Sequence, residues 1–198
     1  VLKPAPHKGK LSKRDGTSLG IPIFPFSFTN DDGSVSAGYV EQGYYSQAIV
    51  NMMALLGWNP GSGSEKEIFS MQELIDTFDL SQVHKAGAKY NPDKTKWFNQ
   101  QYLRMKSDAD LAGEFLRSKS FEPYVPTFYF VESVVKMVRH KISFVHEIYD
   151  QAKYLFEMPI SYDMDILKKN LTPEMVMLIA VIDEAFIGMS ELTESNIE

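Results

Sequence analysis

Apolar residues recur at helical spacing along most of this chain. Ile49, Met52, Met53 and Leu56 stand at i, i+3, i+4 and i+7, and Gly57 follows as the closing residue. The run from Phe69 to Leu74 reads as a capping box with a hydrophobic staple: Ser70 caps, Glu73 reaches back, and Phe69 packs on Leu74. Asn91-Pro92 opens a third helix, with Asn91 as cap and Pro92 in the first position; it carries Lys94, Lys96, Trp97 and Asn99. A boundary between two domains, 1–105 and 106–198, is expected near Met105 to Asp108. Beyond it, Ser107 caps a helix with Leu111, Ala112, Phe115 and Leu116 on one face, and Glu122-Pro123-Tyr124-Val125-Pro126 stops it. The stripe Phe128, Val131, Val135 and Val138 marks the next, which ends in Arg139-His140-Lys141. Ser143 is expected to cap a helix bearing Val145, Ile148, Tyr149, Ala152 and Leu155. Thr172-Pro173 opens the last, with Met175, Ile179, Ile182, Phe186 and Met189.

The exception lies near the front. Ile21 to Gly43 is rich in Pro, Phe, Gly and Asp, and the segments 24–28 and 34–39 flank Asn30-Asp31-Asp32-Gly33 as a hairpin around an Asp-Gly turn. It reads as a hairpin that packs its own aromatics rather than one that touches a ligand. The first twenty residues read as a strand followed by a basic loop. The fold class expected is therefore mainly α with a minor β element.

Composition narrows this. The chain has 198 residues, 44% of them hydrophobic, enough for one large domain or two small ones. Cysteine is absent, which excludes disulfides, thiolate zinc sites and cysteine nucleophiles. No apolar run is long enough to span a bilayer, and no secretory leader is recognisable, so a cytoplasmic protein is expected. Net charge is −6, but it is unevenly spread. Residues 1–16 carry Lys3, Lys8, Lys10, Lys13 and Arg14 against Asp15, whereas from Pro173 onward there are six acids and no Lys or Arg. The acidic end is a poor surface for nucleic acid; any such contact must come from local basic clusters.

The densest of these is Lys10-Leu11-Ser12-Lys13-Arg14-Asp15-Gly16. Two lysines supply mobile point charges, the arginine a planar fork of donors, and the glycine flexibility, a combination suited to closing on phosphates. Residues 7–16 are expected to be exposed and mobile. Lys85, Lys89, Lys94 and Lys96 form a second basic region, and Arg139-His140-Lys141 a third. Trp97, Phe98 and Tyr102 have core spacing and read as packing rather than as base-stacking aromatics. His140 and His146 are six apart, which fits neither one helical turn nor two, so they read as solvated or capping histidines and no metal site is expected.

The basic motif is very close to the second signature motif of class I aminoacyl-tRNA synthetases, in the K-L-S-K-R form of glutamyl-tRNA synthetases. Four further blocks resemble that family in order and spacing: Ala54-Leu55-Leu56-Gly57-Trp58; Phe69 to Leu74 with Phe78-Asp79-Leu80; Lys85-Ala86-Gly87-Ala88-Lys89; and Lys94 to Asn99. The resemblance is specific from about Lys3 to Leu103 and looser beyond. It implies a stem-contact fold over 1–105, carrying the signature loop, followed by a helical anticodon-binding domain. The implied activity is ATP-dependent attachment of glutamate to tRNA(Glu), with Mg²⁺ accompanying the ATP in the full-length enzyme, which is expected to be a monomer. By the same resemblance Lys13 meets the ATP phosphates, Lys10 supports the loop or the base end of ATP, and Ser12 bonds within the loop or to phosphate. Arg14 stands where many class I enzymes have serine. Lys85, Lys89, Lys94, Lys96, Arg139 and Lys141 are the candidate tRNA contacts.

None of the four histidines sits in a H-I-G-H-type motif, which the family carries in an upstream Rossmann domain. The stretch is thus expected to be a piece of a longer enzyme, truncated at both ends and inactive alone. The glutaminyl enzyme fits less well, since its anticodon region is built of β-barrels. The paralogue that glutamylates queuosine lacks an anticodon domain. A non-catalytic tRNA-binding or assembly module derived from a synthetase is the alternative function, and it would have no need of the intact Lys10–Arg14 motif.

Overall fold

A computed structural model describes residues 1–61, 65–118, 125–158 and 160–187; the side chains of Lys13, Arg14 and Thr17 lie outside the description. The described chain is mainly helical, with one two-stranded antiparallel sheet. It forms two compact units, Val1–Phe156 and the segment from Glu157 onward.

Capping residues set most helix starts in the first unit. In α3 (Met71–Thr77) the Ser70 hydroxyl accepts from the Glu73 N–H, and the Glu73 carboxylate accepts from the Ser70 N–H at 2.9 Å. Phe69 and Leu74 are both buried in one cluster with Trp58, so the staple forms too. Asn91 caps α4 (Pro92–Met105) by accepting from the Lys94 N–H at 3.1 Å. Ser107 accepts from the Asp110 N–H at 3.0 Å at the head of α5 (Asp108–Ser118). Thr127 caps α6 (Phe128–Val138).

Two larger cores hang on these helices. In one, Leu103 at the end of α4 meets Leu111, Ala112 and Phe115 of α5, four valines of α6, and Ile148 and Ala152 of α7 (Glu147–Phe156). The valines are Val131, Val134, Val135 and Val138, none more than 3% exposed. Full burial of such a side chain stabilises by about 1.5–3 kcal/mol. The other core joins Ala48 and Met52 of α2 (Ser46–Leu55) to Phe98 of α4, Tyr90 and Ile21, with Trp97 and Tyr102 packed against it. These aromatics are packing residues, as expected.

Four expectations are corrected. The basic loop is not a loop throughout: Lys13–Leu19 is a helix, α1, whose Gly16 is buried. Gly16 lies so close to Ile23 that a Cβ there would come within 2.8 Å of the Ile23 Cδ1. The hairpin exists and packs Phe24 on Phe28 with ring centroids 5.5 Å apart, but its strands are only β1 (Phe28–Thr29) and β2 (Val35–Ser36), and Phe26 stays 66% exposed. α2 ends at Leu55 through the Leu56 N–H on the Met53 carbonyl; Gly57 does not take a left-handed cap, and Met53 faces out. Ser143 does not cap a helix. Its N–H and that of Phe144 donate to the Glu147 carboxylate, and α7 starts only at Glu147.

The second unit holds α8 (Met164–Asn170), capped by Asp163, and α9 (Pro173–Ile187), where Thr172 accepts from the Met175 N–H at 3.3 Å. The sequence reading missed α8. The helix opened by Thr172-Pro173 is present; its Met175, Ile179, Ile182 and Phe186 are exposed, and Met189 lies outside the described residues.

Candidate functional site

Backbone pairing around Leu2 builds the site. The Leu2 N–H donates to the Ala88 carbonyl at 2.8 Å, and the Tyr90 N–H donates to the Leu2 carbonyl at 3.0 Å. On the other side the Lys3 N–H donates to Gly9 at 2.9 Å, and the Leu11 N–H to Val1 at 3.0 Å. Leu2 is therefore bridged to Lys10 and to Lys89 at once. Gly87 makes room for this: a Cβ there would press on the Leu2 side chain at 3.2 Å. The result is that Lys10 and Lys89, some eighty residues apart, flank one short extended segment. Lys8, Lys10, Lys85 and Lys89 are all exposed, and none has an ion pair among the described residues. A shallow cleft of about 220 Å³ opens beside Lys89, floored by Met52, Leu55, Leu56 and Phe98 and edged by Lys89 and Lys94.

The signature segment itself turns at Ser12. The Ser12 N–H and hydroxyl both donate to one carboxylate oxygen of Asp15, at 2.7 and 2.6 Å. The other oxygen pairs with the Lys3 ammonium at 2.7 Å. The bond from Lys3, then those from Ser12, hold the Asp15 carboxyl at about 2, well below its ordinary 3.8. A depressed carboxyl pKa contributes stability above the unfolded value and loses it as pH falls through the folded one. A carboxyl-carbon NMR titration should accordingly find Asp15 still ionised at pH 3.8, with its inflection near 2. An inflection at the ordinary value would mean the Lys3 and Ser12 bonds do not persist in solution.

Other candidate cations are already engaged. Lys94 pairs with Glu67, and Lys96 with Glu147 at 3.0 Å, which ties α4 to the head of α7. Burial pushes the Glu147 carboxyl up, but the Ser143 N–H and Lys96 outweigh it and the net shift is downward. Arg139 pairs with Asp108 and donates to the carbonyls of Arg104 and Lys106, both at 2.9 Å. It clamps the α4–α5 junction to the end of α6. His140 and Lys141 beside it are exposed. The three basic regions read from the sequence thus separate. Lys10 and Lys89 are joined through Leu2, Lys85 and Lys141 are exposed, and Lys94, Lys96 and Arg139 serve ion pairs. For Lys13 and Arg14 the helical backbone is described, but the side chains lie outside the description. The role of Asp15 was missed although Ser12-Lys13-Arg14-Asp15 has the S-x-x-D pattern of a capping box. Among the described residues no group of three or more His, Asp or Glu could hold a metal ion, and no helix is long and apolar enough to cross a membrane.

Known proteins resemble this chain along its length. Residues 109–198 match a family described as anticodon binding domain, a span that begins one residue into α5. A glutamate–tRNA ligase of Flavobacterium johnsoniae is 42% identical over an alignment that covers all of this chain and 38% of the relative. One from Parabacteroides distasonis is 45% identical over 86% of this chain and 33% of its own length. The crystal structure of a glutamate tRNA ligase from Elizabethkingia meningosepticum, in complex with its amino acid, superposes with a TM-score of 0.87 at 41% identity, covering 96% of this chain and 38% of that one. The chain spans little more than a third of the length of these relatives.

Proposed function

We infer that this chain, homologous along its length to one segment of the glutamate–tRNA ligases, does that segment's share of joining glutamate to tRNA(Glu). In this reading residues 1–105 present the signature segment to ATP and a basic face to the tRNA, and residues 106–198 face the anticodon. The observation that supports it most is the pairing at Leu2, which sets the exposed Lys10 and Lys89 on its two sides. A phosphate chain needs such local positive charge, and a net charge of −6 elsewhere does not forbid it.

Negative charge grows on the α-phosphate and on the departing pyrophosphate when glutamate is activated with ATP. Cations that meet that charge better in the transition state than in the ground state accelerate the step. Lys13 is the residue we assign to this role, with Lys10 beside it and Ser12 and Arg14 in the same turn. Mg²⁺ would neutralise the same phosphates. Glutamate and the rest of the ATP site would be supplied by parts of the ligase other than this segment.

For tRNA, Lys85, Lys89 and Lys141, which have no ion pair among the described residues, are better placed than Lys94, Lys96 and Arg139, which would first have to leave Glu67, Glu147 and Asp108. The test is binding of this chain to tRNA(Glu) by fluorescence anisotropy across a salt series. Affinity should fall with salt, by a log–log slope of roughly −0.9 for each neutralised phosphate in a duplex. Lys85→Glu with Lys89→Glu should weaken binding and flatten the slope by about two contacts. Lys141→Glu should matter for tRNA with its anticodon arm and less for tRNA without it. Unchanged affinity and slope in the double variant would remove the basic face from the function.

A further inference from the structure

The signature segment is held by a carboxylate that the proposed chemistry does not use. Both oxygens of Asp15 are committed: one takes the Ser12 N–H and hydroxyl, the other the Lys3 ammonium. Lys3 belongs to the strand fixed between Gly9–Leu11 and Ala88–Tyr90, so its position is set by backbone bonds on two sides. One side chain therefore joins three things: the first turn of α1, the bend at Ser12, and the strand that also carries the Lys85–Lys89 segment. The pair is sheltered, with Lys3 26% and Asp15 14% exposed. Next to it, Gly16 seats the same turn against Ile21 and Ile23, where any larger residue would collide.

We propose that Asp15 is a positioning residue for the signature segment: tied to Ser12 and Lys3, it fixes the backbone bend that presents Lys10 and Lys13 to the phosphates of ATP. The inference rests on the reading of Lys10–Arg14 as the phosphate-facing segment. Lys3 has a second part in it. An unpaired Asp15 carboxylate would stand two residues from Lys13 and one from Arg14 and compete with phosphate for them; the Lys3 ammonium occupies it instead. The bend is thus built by Asp15 and its charge is cancelled by Lys3. The side-chain hydroxyl of Ser12 adds a bond that its N–H already duplicates, so Ser12 is the least demanding of the three positions.

The experiment uses the full-length ligase that contains this segment and, separately, this chain. In the ligase, ATP–pyrophosphate exchange is measured for Asp15→Ala, Asp15→Asn, Lys3→Met and Lys13→Ala. Asp15→Ala should lower kcat about tenfold or more while the KM for glutamate stays unchanged, because bond geometry near the phosphates is lost and the amino-acid site is not touched. Asp15→Asn keeps one acceptor for the Ser12 N–H and should fall between it and the parent. Lys3→Met should also lower kcat, with the KM for ATP raised. In this chain, hydrogen exchange of the Ser12 amide should speed up about tenfold in Asp15→Ala, while core amides such as those of Phe98 and Leu103 keep their protection, which shows that the fold survives. If the Ser12 amide is released but kcat is unchanged while Lys13→Ala abolishes exchange, Asp15 only caps a helix and the inference is overturned. If Lys13→Ala leaves exchange intact, the phosphate reading itself fails, and this inference falls with it. If the core amides of Asp15→Ala also exchange faster, the asparagine variant decides: a lowered kcat with core protection intact supports positioning, and a parental kcat overturns it.

Discussion

On the proposed reading, replacing Lys13 by alanine in a full-length ligase containing this segment is expected to slow glutamate activation by about 10²–10³-fold, the usual effect of removing one preorganised group from a developing charge. The loss should appear in kcat. In that reading glutamate binds outside this segment, so its KM should hold, and an effect confined to the transition state lowers kcat and kcat/KM together. Lys13→Arg should recover only part of the rate, since a planar fork cannot follow a moving phosphate as a point charge on a flexible stem does. Lys10→Ala should cost less: Lys10 is an exposed residue of the paired strand, one side of the bend, whereas Lys13 stands in the first turn of α1 beyond it. Pre-steady-state measurement of adenylate formation separates this from slow product release. An unchanged rate for Lys13→Ala would end the assignment and leave the segment as a basic structural turn.

What the sequence made legible was mostly local. The caps at Ser70, Asn91, Ser107 and Thr172 depend on residues three apart, and each appears in the structure as written in the chain. The stripe Val131, Val135, Val138 is local too, and all three are buried. Several of the failures involve partners far away in sequence. Ser143 looks like a cap, but Asn99 takes its carbonyl from α4 and Glu147 takes its N–H, so the helix begins later. Lys94, Lys96 and Arg139 look like free cations, yet each meets an acid 27, 51 or 31 residues distant. Lys10 and Lys89 look unrelated and are brought together by the pairing of Leu2. The signature motif is the converse case. Its local capping pattern was there to be read, but a run of three cations within five residues reads first as a solvated loop.

Asn99→Ala should be among the most damaging single changes to the fold, costing roughly 2–6 kcal/mol, because it leaves one buried and one part-buried backbone group unpaired at roughly 1–3 kcal/mol each. Asn99 is wholly buried. Its carbonyl oxygen accepts from the Tyr45 N–H at 2.7 Å, at the head of α2, and its amide donates to the Ser143 carbonyl at 2.7 Å, before α7. Neither α2 nor the α6–α7 turn has another way to satisfy those groups without water. Asn99→Asp should be worse still. The carboxylate can keep the Tyr45 bond, but it cannot donate to Ser143, and a buried charge would face a carbonyl oxygen. Denaturant melts of this chain and the two variants measure the shift in midpoint at constant slope. These bonds also bear on how the first unit comes apart. Tyr45 and Asn99 precede the boundary expected near Met105–Asp108, and Ser143 follows it. Lys96–Glu147 and the clamp of Arg139 on Arg104, Lys106 and Asp108 span or adjoin the same junction. Val1–Phe156 should therefore unfold in one transition, and Asn99→Ala should move all of it. Two separated transitions, with only one of them shifted by the substitution, would show that residues 1–105 and 106–156 fold independently and that Asn99 does not join them.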